Sequence, residues 1–191
     1  MSQTRQEPNR KVREVYEALG DLLEDGDDAF VERGPALLQE AIQDPAFFEG
    51  VETEHAPPGE YTRAKVIGDE GRHVVRYMEW PPEYSLMPHE HHGRPCFEVL
   101  VEGQLLLANM EAEQVGDDAY EMNLVGTDTT APGEAAVVDP RECEIHAVYS
   151  PVRSRSLHVY PDDSYYSVGY VPKEDTEGDV YSREQFLLKE D

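Results

Sequence analysis

"HEHHGRPCFEVLVEG", residues 89–103, packs three of the chain's seven histidines into four positions, just ahead of a cysteine and an apolar run. His89 and His91 are two apart, so on a strand both side chains leave from one face. Two imidazoles on one rigid face can hold a metal ion, with a third ligand supplied from elsewhere. His92 has the opposite parity and is expected to face away. An exposed polar loop that happens to carry histidines is the plainer reading, and the clustering argues against it.

Around this stretch the apolar pattern is that of strands. From residue 61 onward YTRAKVI, HVVRYMEW, FEVLVEGQLLLANME, YEMNLVG, AAVVD, IHAVYS, SRSLHVY and YYSVGYV follow one another, separated by short Gly, Pro and Asp breaks. Some eight short strands with turn signals between them predict an all-β sandwich or barrel. No helices alternate with them, which argues against a parallel α/β sheet. One of these strands is unusual. Ser156, His158 and Tyr160 share one face, and Leu157 and Val159 the other. A polar face turned inward suits a barrel that encloses a ligand; a polar face turned to water would look the same in sequence.

Before residue 54 the period is helical. Val12, Val15, Tyr16, Leu19, Leu22 and Leu23 predict a helix over 12–23. Gly34-Pro35 is expected to open a second, with Leu37, Leu38, Ala41 and Ile42 as its stripe and Asp44-Pro45 as its end. EHAPPGE, residues 54–60, reads as a linker. Ser182 with Gln185 is a capping-box pattern and predicts a short final helix, SREQFLLKE. The expected organisation is one structural domain: an N-terminal helical segment (1–52) packed on a barrel (53–175), with a helical tail (176–191).

The chain has 191 residues, enough to bury a core without disulfide staples. Its 41 acidic against 16 basic residues give a net charge of −25, spread along the whole length. That suits a solvated acidic surface of the kind found in high-salt cells, where screening weakens self-repulsion. It argues against nucleic acid or an anionic membrane as partner, since both require a basic face. No apolar run is long enough to span a bilayer, and MSQTRQEPNRK lacks the apolar core of a signal peptide. A cytoplasmic protein is expected, a monomer or small homo-oligomer, with Cys96 and Cys143 reduced. Cys143 reads as structural, and His55 and His73 as surface residues.

The layout His89-x-His91, then Gly103 twelve residues on, resembles the first motif of the cupins, small jelly-roll β-barrels that carry a metal inside. The second cupin motif ends in a histidine, and His146 in VVDPRECEIHAVYS fills that place, although Arg141 and Cys143 stand where the family has Pro and Gly. The glutamate ligand usual after the second histidine is absent; Pro95 and Cys96 occupy its positions. A three-histidine cupin with cysteine there resembles cysteine dioxygenase. Three further stretches agree: YTR (61–63), PCFEVLVEGQL around Cys96, and SLHVY (156–160). The resemblance covers about residues 61–160.

What it implies is Fe(II) held by His89, His91 and His146, three neutral ligands that favour an anionic thiolate. Arg63, helped by Tyr61, is expected to pair with the substrate carboxylate. Ser156, His158 and Tyr160 form the expected catalytic triad, and Cys96 can cross-link to Tyr160 in some relatives. The substrates would be L-cysteine and O2, and the product cysteine sulfinate. Two departures stand out. Glu98 shares the parity of Cys96 and is expected to point inward, where it could pair with an arginine, bind a histidine behind the ligands, or act as a fourth ligand. YPDD follows the triad in place of a proline pair. Other readings stay open: a dioxygenase for 3-mercaptopropionate or another mercapto-acid, a cupin that binds a metal or ligand without turnover, and an isomerase using zinc or manganese.

Overall fold

A computed structural model of the protein describes residues 7–51, 55–69, 71–163, 166–174 and 179–187. Two helices come first, α1 (Arg10–Asp25) and α2 (Asp27–Ala41), then a 3-10 turn (Pro45–Phe48). Eleven strands follow among the described residues: β1 (Thr62–Gly68), β2 (Val74–Trp80), β3 (Tyr84–His89), β4 (Cys96–Glu102), β5 (Leu105–Gly116), β6 (Ala119–Thr130), β7 (Ala135–Val138), β8 (Ile145–Ser150), β9 (Ser154–Tyr160), β10 (Tyr166–Pro172) and β11 (Val180–Leu187). One sheet has the order β1-β2-β9-β4-β7, and β10-β11-β6-β5-β8-β3 closes into a barrel. Every pairing is antiparallel. This is the expected all-β architecture, a sheet and a closed barrel preceded by N-terminal helices.

The periodicity of α1 survives folding. Asn9 caps it, its side-chain oxygen accepting from the Val12 N–H at 3.0 Å, and Val12, Tyr16 and Leu19 are buried. The second helix differs from the expectation. It begins at Asp27, with Asp27 and Asp28 in its first turn, and Pro35 lies inside it. The acidic pair favours a helix start by its interaction with the helix dipole. Packing then carries the helix through a proline that sequence rules read as an opening. Gly34 makes that packing close: a Cβ there would lie 2.6 Å from the Phe97 ring.

The helices explain the odd strand β9. Leu157 and Val159 join Val75, Tyr77, Phe97 and Val99 in a core shared with Val12, Leu19, Phe30 and Leu38. That face of the sheet is therefore covered by helices, not water, which leaves Ser156 and His158 facing the interior between the two sheets. A second cluster, including Trp80, Leu100, Leu105, Leu107 and Val148, fills part of that interior. Gly103 turns the chain from β4 to β5 at φ +89°, and a Cβ there would sit 2.4 Å from the Ser154 hydroxyl. That close approach accounts for the glycine in the motif.

Three expectations need correction. Residues 182–187 of SREQFLLKE are not helical; they belong to β11, which pairs with β10 along its whole length. Ser182, read as a helix cap, instead sits opposite Val171, and Leu188–Glu190 lie outside the described residues. Local capping propensity loses here to the ladder bonds offered by a neighbouring strand. The segment Tyr84–His89, not foreseen as a separate strand, is β3. It contains Pro88, but its pairing with β8 is irregular between Leu86 and His89, and proline is tolerated at such interruptions. His73 is not a surface residue. It is 3% exposed, stacks on Tyr16 at 4.0 Å, and its Nε2 lies 2.8 Å from the Tyr16 carbonyl. His55, by contrast, is exposed.

Candidate metal centre

His89 ends β3, and His91 lies just past it in the turn leading to β4. His146 is on β8, directly opposite His89 in the ladder. Strand register thus brings a distant histidine beside the pair. The three rings form a near-equilateral triangle, with centroids 4.9, 4.7 and 4.7 Å apart. Each ring offers one nitrogen, and these atoms lie within 4.8 Å of one another.

Hydrogen bonds set the ring tautomers. His89 Nδ1–H donates to the Met87 carbonyl at 2.9 Å, and His91 Nδ1–H donates to the Glu144 carbonyl at 3.4 Å. In both, Nε2 is left with its lone pair. Burial lowers His89 to about 4 and His91 to about 3, and pushes His146 well below the ordinary value. All three are neutral imidazoles near pH 7. Two bare Nε2 atoms beside a third neutral imidazole fit a cation, and the donor set fits a divalent transition metal. Glu98 does not belong to the cluster, so among the described residues the site has three neutral ligands and no carboxylate.

The turn between the two ligands is held from behind. Glu90 accepts from Arg183 of β11 through both carboxylate oxygens and from the Tyr170 hydroxyl at 2.6 Å. Ser167 Oγ donates to the Glu90 carbonyl at 2.6 Å. The sequence reading missed these residues; a charged residue between two ligands was the available signal. His92 is exposed and within hydrogen-bond distance of the Tyr166 carbonyl; it lies in the turn after β3 at φ 56°, so strand parity does not set its direction.

The imidazoles open onto a cavity of about 530 Å³, mouth included, lined also by Arg63, Cys96, Glu98, His158 and Tyr160. Arg63 on β1 is 6% exposed. Its guanidinium lies over the Tyr160 ring, 4.9 Å from the centroid, and pairs with no carboxylate among the described residues. Tyr61 lines the same cavity, its ring stacked on Trp80 at 5.2 Å.

The triad forms a chain of contacts. Trp80 Nε1–H donates to Ser156 Oγ at 2.8 Å. Ser156 Oγ lies 2.7 Å from His158 Nε2, and the Tyr160 hydroxyl 3.3 Å from His158 Nδ1. Burial lowers His158 to about 3 and raises Tyr160, so both are neutral near pH 7. Burial also pushes the Cys96 thiol up. Glu98 takes the second of its three foreseen roles: Oε2 lies 3.1 Å from His158 Nε2. Past Tyr160, YPDD brings Asp163 against Arg76 and Lys65, each at 2.5 Å, so an ion-pair clamp stands where a proline pair was expected. Cys143 lies away from the cavity, its thiol donating to the Met110 carbonyl at 3.3 Å.

The fold and the site together define an antiparallel β-barrel protein with a three-histidine candidate metal centre. No protein-family model matches the sequence, and no curated protein matches it. Several solved structures are similar to part of the chain. A cupin superfamily protein from Desulfitobacterium hafniense is 14% identical, with 58% of this chain and 84% of that one covered and a TM-score of 0.40. KdgF from Halomonas sp. is 14% identical, with 61% and 92% covered and a TM-score of 0.43. The polyketide cyclase RemF from Streptomyces resistomycificus is 25% identical, with 65% and 83% covered and a TM-score of 0.43. No described helix is long and apolar enough to cross a membrane.

Proposed function

We propose that the protein is an Fe(II)-dependent dioxygenase of small thiol carboxylic acids, with L-cysteine the first candidate. The carrying observation is Arg63: a buried guanidinium with no carboxylate partner among the described residues, in a chain of net charge −25, facing the same cavity as three converging imidazoles. A cation so placed lacks the counter-charge that burial requires. A substrate carboxylate supplies it in planar, two-point geometry.

His89, His91 and His146 would hold the metal. When bound, Fe(II) supplies the open coordination positions and electron exchange that O2 and a thiolate need in order to react. The chain's own residues do the rest. Arg63 fixes the carboxylate end and so sets the distance at which the sulfur lies from the imidazoles. The Tyr160 hydroxyl, held by His158, offers a hydrogen bond inside the cavity. Leu107 and Val148 form apolar wall and keep out water. The balanced reaction adds both atoms of O2 to the thiol sulfur: RSH + O2 → RSO2H. Cys96 and Tyr160 line one cavity, which favours the thioether cross-link without requiring it.

The test is oxygen uptake by Fe(II)-loaded protein in high salt, with cysteine and then 3-mercaptopropionate, the product identified by mass. The expected product is cysteine sulfinate, two oxygens heavier than cysteine. Sulfinate from 3-mercaptopropionate alone would keep the class and change the substrate. No uptake with either thiol, despite bound iron, refutes the proposal.

A further inference from the structure

Glu98 on β4 is paired in register with His158 on β9. The pairing puts a carboxyl against the imidazole that holds Tyr160. Oε2 faces His158 Nε2 at 3.1 Å. Oε1 is buried and has no hydrogen-bond partner among the described residues. A carboxyl with one oxygen engaged and the other sealed off has few choices. A proton on Oε1 would be a buried donor with nothing to receive it, which is costly. The proton, when present, therefore sits on Oε2 and points at His158.

This couples Glu98 to the direction of the whole relay. With Glu98 ionised, Oε2 accepts from His158 Nε2–H. Nδ1 is then bare and accepts the Tyr160 O–H, so Tyr160 turns only lone pairs to the cavity. With Glu98 protonated, Oε2–H donates to a bare Nε2. Nδ1 then carries the proton and donates to the Tyr160 oxygen, and the Tyr160 O–H is free to donate into the cavity. Ser156, 2.7 Å from Nε2, accommodates both states: its oxygen accepts beside Oε2 when Nε2 carries the proton, and when Nε2 is bare its hydroxyl hydrogen turns elsewhere, because the single lone pair takes Oε2–H. Trp80, a donor only, occupies one lone pair of Ser156 in either state.

We propose that Glu98 is a positioning residue that sets the polarity of the Ser156–His158–Tyr160 relay: protonated, it makes Tyr160 a hydrogen-bond donor toward the substrate; ionised, it makes Tyr160 an acceptor. The structural part stands on geometry alone, and its use in turnover rests on the dioxygenase reading. A bound thiolate and the forming sulfinate are anions and need the donor form. Burial raises the Glu98 carboxyl to about 8, which places the exchange in an accessible pH range. The other groups lining the cavity are Arg63 and Tyr61 from β1, His89 from β3, Cys96 from β4, His146 from β8, and His158 and Tyr160 from β9, with His91 from the turn after β3. Of these, the lowered histidines and the raised Cys96 and Tyr160 keep their protonation states near pH 8.

The direct test is imidazole nitrogen NMR of His158 in the full chain loaded with Zn(II), a diamagnetic stand-in, from pH 6.5 to 9.5. The expected result is a change of tautomer, the proton moving from Nδ1 to Nε2 as pH rises, and one fixed tautomer throughout in Glu98→Gln. A single tautomer across the range in the unsubstituted protein overturns the proposal, and that measurement does not depend on the variant folding. It is also independent of thiol turnover, so it fails or succeeds separately from the dioxygenase reading. If both hold, kcat with the accepted thiol falls at least tenfold between pH 7 and 9.5, and the fall is absent in Glu98→Gln.

Discussion

Arg183 grips Glu90 with two hydrogen bonds, Nε to Oε1 at 2.9 Å and Nη2 to Oε2 at 2.6 Å. Glu90 stands between the two ligands of one turn, and Arg183 lies on the strand that the sequence reads as a helix. The pair bolts the His89–His91 turn to the β10–β11 hairpin. Groups behind a metal's ligands fix ring orientation, and their loss costs about 10- to 100-fold in metal affinity. Arg183→Met should weaken Co(II) binding on that order, measured by the cobalt absorption bands, while Arg183→Lys keeps part of it. Equal affinity in all three proteins would show that the hairpin does not position the ligands.

His146 is the one ligand that comes from another part of the chain. His146→Ala leaves two nitrogens, too few for a stable site of this kind. Stoichiometric metal should fall to background by elemental analysis after dialysis. The fold should persist, because an apo barrel gains from losing a buried imidazole whose Nδ1 has no partner.

Arg63→Met keeps much of the side-chain volume and removes the charge. A charge-assisted hydrogen bond is worth about 1.5–3 kcal/mol, so KM for a carboxylate-bearing thiol should rise on the order of 10- to 100-fold. Cysteamine, which lacks the carboxylate, serves as control and should lose little. Equal losses for both substrates would place the carboxylate contact elsewhere.

Glu79 on β2 is fully buried and ringed by donors: the Ala56 N–H at 3.1 Å, Arg155 at 3.0 Å, and Arg153. Burial works to raise its carboxyl, but the Ala56 N–H and the two arginines outweigh it, and the group is held below its ordinary value. A lowered folded-state value means stability that is present above the unfolded value and lost as pH falls through the folded one. Melting temperature in high salt should therefore drop as pH falls below about 4.5. Glu79→Gln should melt lower near neutral pH and show a shallower acid dependence. An unchanged acid slope in the variant would assign the effect to other carboxylates.

Much of the site was legible in sequence because it rests on short-range rules. Two-residue spacing on a strand predicts shared faces, and Ser156, His158 and Tyr160 do make one connected row. The inward parity of Glu98 held for the same reason. The failures came where a local pattern competes with a distant partner. SREQFL carries a helix-cap signal, but β10 offers it a full ladder of hydrogen bonds. Pro35 marks a helix start by propensity, but packing of Gly34 against Phe97 holds the helix on both sides of it. His73 looks like an isolated surface histidine until Tyr16 of α1 covers it.

By itself, the sequence determined the alternation of polar and apolar residues, and with it most of the strands, the first amphipathic helix and the shared face of Ser156, His158 and Tyr160. Those follow from backbone geometry that repeats every 2 or 3.6 residues. Only the tertiary structure decided which strands lie side by side. Register sets His146 opposite His89, Glu98 opposite His158, and Arg183 within reach of Glu90. Such contacts depend on closing long loops and burying shared faces, a global balance that no local window contains.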